Sequence, residues 1–228
     1  MRYIFCLLAI IIFTPVQGAV CFNRDFAPQN GIVANIEKPF RSEMCLNGYW
    51  KFQPLNTPQA LDAKQPLPMP TAGSWDKTPL KLPSPWNVNS FSSGNGGDYR
   101  CYPSYPESWE KIKAGWLKKS FTVPAEWKNN RIILHFEAVA GDYVVFVNGK
   151  QVGHNFDIFM PYEIDITNAV RYGANNELLV GVRKPELMNI SGRLGSITYP
   201  SGSFWGLHIA GIWQDVYLLS IPKTGIDK

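Results

Sequence analysis

The dipeptide Asn148-Gly149 stands between two strand-forming runs, Tyr143 to Val147 and Gln151 to Gly153. Asn and Gly tolerate the positive φ angles of a two-residue type I′ turn, whose twist matches the strands it joins. That turn commits the middle of the chain to antiparallel pairing. Ile132, Leu134 and Phe136 alternate with Arg131, Ile133 and His135 just before it. Tyr162, Ile164 and Ile166 share one face just after it. This is the period of two that marks half-buried strands. No stretch of about twelve residues or more holds a helical apolar period.

The same reading extends outward. Residues 19–40 have little periodicity and read as an extended lead-in. In 46–52, Tyr49 and Lys51 alternate with Trp50 and Phe52, as on a strand with one face buried. Five prolines from Pro54 to Pro70 require a loop wrapped over the surface. Leu80 to Trp86, carrying Pro83 and Pro85, is expected at a sheet edge, because proline cannot donate to a ladder. Beyond Gly94 to Gly97, the residues Tyr99, Tyr102, Tyr105 and Trp109 read as a long aromatic loop. Turns at Gly173 to Asn176 and strands at 177–183 and 211–219 bring the count to about eight strands. An all-β fold, an antiparallel sandwich of jelly-roll type over residues 41–220, follows.

Residues 1–18 have a short basic start and an apolar core at 4–13 (IFCLLAIIIF), with Val16 and Gly18 at the small-residue positions. Ten apolar residues are too few for a bilayer span, which needs about 20. A signal peptide cleaved before Ala19 is expected, leaving a secreted or periplasmic protein of about 210 residues with no membrane attachment. Val20 directly before Cys21 argues against a lipoprotein. Cleavage removes one basic residue, Arg2, from a net charge of +4. So small a balance, with scattered Lys and Arg, gives no case for nucleic acid; Lys111, Lys113, Lys118 and Lys119 read as a solvated face. Cys21, Cys45 and Cys101 remain after cleavage and allow three single bridges.

Catalytic signals are weak. General acid–base work by carboxyl groups needs two of them close together, one protonated and one ionised. Glu163 and Asp165 are the one pair with a geometric case, since residues two apart on a strand point the same way. Their apolar neighbours make an outward polar face the plainer reading, so no catalytic residue is assigned. His135, His154 and His208 lack metal-ligand spacing, no Cys-x-x-Cys is present, and neither a metal nor a cofactor is expected. Sugar contact is better supported. Sugars lay C–H faces on aromatic rings while their hydroxyls need amides, carboxylates or guanidinium groups. Loop segments 86–109 and 193–208 interleave those residue types, and Asn87, Tyr199, Trp205 and His208 are the candidate sugar-binding residues.

Four segments in fixed order carry a family resemblance: 116–124 (WLKKSFTVP), 131–139 (RIILHFEAV), 142–150 (DYVVFVNGK) and 211–218 (GIWQDVYL). The chain resembles, over roughly 41–220, the non-catalytic N-terminal jelly roll of family 2 glycoside hydrolases, the β-galactosidases and β-glucuronidases. The resemblance implies a galactose-binding-domain-like sandwich, with both catalytic carboxylates on a later barrel domain. It also implies that the jelly roll lends that pocket an Asn from a Pro-Ser-Asn-Trp motif and an Asp shortly before a Gly-Ile-Phe/Trp strand. Here the first motif reads Pro83, Ser84, Pro85, Trp86, so Pro85 stands at the Asn position and Asn87 is next along. The run 201–208 (SGSFWGLH) has no Asp. Both departures count against galactose specificity.

The expected function is therefore an accessory domain of a secreted family 2 glycosidase, with carbohydrate and the catalytic barrel of the same enzyme as partners. On that reading 221–228 (IPKTGIDK) is a linker toward a further domain. The alternative is a freestanding carbohydrate-binding module. On the accessory-domain reading, the aromatics of 102–109 and Trp205 are expected to form an exposed, partner-facing patch.

Overall fold

A computed structural model describes residues 30–33, 41–87, 105–188 and 209–224. The described residues form an antiparallel sandwich of two sheets. The smaller sheet has the order β1 (Gly31–Val33), β2 (Ser42–Cys45), β12 (Val216–Ile221), β6 (Arg131–Phe136), β9 (Tyr162–Asp165). The larger has the order β11 (Gly211–Ile212), β7 (Val139–Val147), β10 (Asn175–Arg183), β5 (Ala114–Thr122), β3 (Gly48–Leu55), β4 (Leu80–Leu82), with β8 (Lys150–Asp157) also on β7. The signal segment, most of the lead-in, Cys21, Cys101 and 225–228 lie outside the described residues.

Alternation builds the core. On β3 Trp50 and Phe52 turn inward and Tyr49 and Lys51 outward. On β6 Ile132, Leu134 and Phe136 are buried between the sheets. The β7–β8 hairpin turns at Asn148 (φ 51°) and Gly149 (φ 81°), as the dipeptide predicts. The Asn148 amide reaches past the turn: Nδ2 donates to Ala169 O and Asn176 Oδ1, and Oδ1 accepts from Glu177 N. β4 ends the larger sheet, pairing with β3 among the described residues, and the prolines follow it at 83 and 85.

Two expectations change. Residues 211–219 are not one strand. β11 pairs with β7 in the larger sheet and β12 with β2 and β6 in the smaller, so the chain changes sheet across Trp213 to Asp215. The β6–β7 connection makes the opposite crossing beside it, and Glu137 N donates to Asp215 O at 2.9 Å where the two meet. Partners so distant in sequence leave no local signal, which is why one expected strand becomes two; the described residues hold twelve strands where about eight are expected.

The aromatic loop is the second. Tyr105 and Trp109 are 6% and 1% exposed, so they belong to the core and not to a partner-facing patch. A 3₁₀ helix (Glu107–Lys111) turns Trp109 onto Phe52, edge to face at 4.6 Å, and onto Tyr105 at 5.1 Å. Trp109 Nε1 donates to Asp76, and the Tyr105 hydroxyl is bonded to the Lys81 backbone. Residues 88–104 and 189–208, which include Trp205, lie outside the described residues.

The proline-rich stretch runs over the outer face of the larger sheet. Thr57 Oγ1 caps a single helical turn, α1 (Pro58–Leu61), by accepting from Ala60 N. Ala60 and Leu67 then pack on Trp116, Leu55 and Leu179, and Trp116 Nε1 donates to Pro68 O at 2.7 Å. The larger sheet is thus buried on both faces over much of its width.

Candidate functional site

Segment 84–87 and segment 210–212 run side by side at one rim of the sandwich. Ser84 N donates to Ile212 O at 3.3 Å and Trp86 N to Ala210 O at 3.2 Å. Trp86 anchors the rim: its ring is fully buried, stacks on Phe52 at 5.1 Å, and its Nε1 donates to Ile112 O. Gly211 lets the second segment pass. Its φ is +99°, and a Cβ there would lie 2.7 Å from Trp86 Cε3.

Of the four candidate sugar-binding residues, Asn87 alone is described. It is fully buried, and its Oδ1 accepts from Ala210 N at 2.9 Å, tying the two rim segments together. That is a positioning role. Its spacing beside a tryptophan in a loop reads equally well for ligand or backbone, and the partner amide is 123 residues away. Tyr199, Trp205 and His208 lie outside the described residues. Pro85 is half-buried and, lacking an N–H or a polar side chain, offers only its carbonyl, which accepts from Ser84 Oγ.

Glu163 and Asp165, the carboxylate pair on β9, each meet a partner on β6. Glu163 faces His135 at 2.9 Å, and Asp165 faces Arg131 at 3.1 Å, both on the outer side of the smaller sheet. A general acid needs a carboxyl held above its ordinary range. Burial does push Asp165 that way, but the Thr167 hydroxyl and amide and the Arg131 guanidinium outweigh it and hold it below. Asp157 behaves alike: burial raises it, and the Met160, Phe159 and Ile158 amides bring it below the usual value. No cluster of three metal-ligating side chains occurs among the described residues.

The two segments are thus tied together by backbone and side-chain hydrogen bonds. A family model described as "Glycosyl hydrolases family 2, sugar binding domain" matches residues 44–222. The chain belongs to glycoside hydrolase family 2. It is similar to a β-galactosidase of Priestia megaterium, 26% identical over 194 residues, covering 79% of this chain and 17% of that protein. A β-glucuronidase of Bacteroides fragilis is 27% identical over 186 residues, covering 82% of this chain and 22% of its own length. Among solved structures, the β-glucuronidase of Lactobacillus rhamnosus shares the fold at TM-score 0.56 and 24% identity, covering 84% of this chain and 30% of that one. This family 2 domain spans less than a quarter of the length of either of these relatives.

Proposed function

We propose that this chain serves as the non-catalytic N-terminal domain of an exported family 2 glycosidase, packing on a catalytic barrel and forming one wall of an exo-acting sugar pocket. The observation that carries the reading is the rim. Segment 83–87, where β-galactosidase jelly rolls lend an Asn to a pocket, is hydrogen-bonded to Ala210 and Ile212, the residues on either side of Gly211. Pro85 and the missing Asp remove side-chain donors and acceptors that a galactose-reading rim would use, so the proposed glycan is another one. The signal-like segment 1–18 supports export.

The test joins gene and enzyme. The reading frame downstream of residue 228 is expected to encode a barrel with two catalytic glutamates. Aryl glycosides should then be hydrolysed by the longer product and not by residues 19–228 alone. A downstream frame without a barrel would overturn the accessory reading and leave a freestanding binding module.

A further inference from the structure

We infer that the outer face of the larger sheet holds a second carbohydrate site, distinct from the rim, that takes a neutral pyranose or one residue of a glycan. Antiparallel register assembles it. Asp142, Val144 and Phe146 point the same way on β7 and face Arg183, Gly181 and Leu179 on β10, with His154 and Gln151 opposite on β8. The proline-rich stretch covers the Trp116 end of this face and stops short of the hairpin. What remains is a cleft of about 410 Å³ between residues 63–67 and the β8 side chains. That volume lies within the roughly 300–1,000 Å³ usual for small-molecule sites.

A buried ionic row borders the cleft. Asp142 and Arg183 are 9% and 5% exposed. Arg183 Nε donates to Ala60 O and Nη2 to Gln65 O, which fixes the covering stretch and leaves Nη1 facing Asp142 Oδ2 at 3.7 Å. Asp142 Oδ1 meets His154 Nε2 at 2.6 Å. Stability does not call for this pair, because apolar residues of similar volume often hold a fold as well or better. Its formal charges cancel, so the pair by itself favours neither a phosphate nor a metal ion, and Lys64 is an exposed cation of the same lining. A hydroxyl both donates and accepts, so vicinal hydroxyls suit alternating carboxylate, guanidinium, imidazole and Gln151 amide groups. Val144 and Phe146 supply the apolar surface for the C–H face.

The inference does not rest on the accessory-domain reading, since a freestanding module would carry the same cleft. Purified residues 19–228 would be titrated with methyl β-glucopyranoside, methyl β-galactopyranoside and inorganic phosphate, followed by ¹H–¹⁵N spectra. A saturable sugar response on the amides of Val144, Phe146, Gln151 and His154 is expected, at millimolar affinity. His154→Ala and Gln151→Ala together should weaken it about tenfold or more, a loss near 1.4 kcal/mol, in a variant whose spectrum stays dispersed. No saturable response to either sugar, a response to phosphate in its place, shifts confined to the rim, or sugar affinity unchanged in the double variant would each overturn the site. Should the double variant fail to fold, the location of the shifts in the unsubstituted chain decides alone.

Discussion

Gly211 and Gly73 offer a matched pair of substitutions. At Gly211 a methyl group meets the buried Trp86 ring and a φ of +99°, while at Gly73 nothing lies within 4 Å. Gly211→Ala is therefore expected to destabilise the domain by about 2 kcal/mol or more in urea unfolding. Gly73→Ala should change stability by less than about 0.5 kcal/mol. Asp157 adds a pH dependence. Its Oδ1 accepts from the amides of Ile158, Phe159 and Met160 at 2.6–2.9 Å, which tightens the bend after β8. Because the folded-state value lies below the unfolded one, the contribution is present above about pH 4 and is lost as pH falls through the folded value. Asp157→Asn should lower stability at pH 7 by roughly 1–2 kcal/mol, and the gap to the parent should close in acid as pH falls through the folded value. A gap that is the same in acid would show that the charge is not what the bend uses.

The β7–β8 hairpin shows what was readable in the chain at the scale of elements. Its turn needs only two local residues, so Asn148-Gly149 announces it. The lock behind that turn was not readable, because Asn148 and the fully buried Asn176 join over 28 positions, and Asn176 in turn holds the Arg171 and Ala174 backbone. Asn148→Gly keeps the permitted φ and loses the amide, whereas Asn148→Ala loses both. The expected order in thermal melts is parent, then Gly, then Ala, with Ala lower by about 1 kcal/mol than Gly. The same contrast explains the candidate sites. Strand periodicity gave β3, β6 and β9, but the split of β11 from β12, the burial of Asn87 and the inward turn of Trp109 are fixed by partners far along the chain. The outer cleft was equally hidden, since Asp142, His154 and Arg183 meet only through register.

Across the whole molecule, the Trp116 ring joins Arg183 in holding the covering stretch to the sheet beneath it. Trp116 is fully buried under Leu67 and bonded to Pro68 O. Trp116→Ala is expected to cost about 3–5 kcal/mol and to open residues 62–70 to limited proteolysis before the sandwich unfolds. Equal resistance to protease in the two proteins would show that the stretch holds without its anchor. The position of β12 reaches further, into how the chain is made. It lies between β2 and β6, and Asn47 and Asp215 at its end are joined across 168 positions. A ribosome delivers β2 and β6 long before the strand that must separate them, so both wait with bare edges, and the smaller sheet cannot close until residue 221 has left the exit tunnel. Protease resistance in a series of arrested nascent chains should appear in one late step, and every shorter intermediate is a client for a holding chaperone.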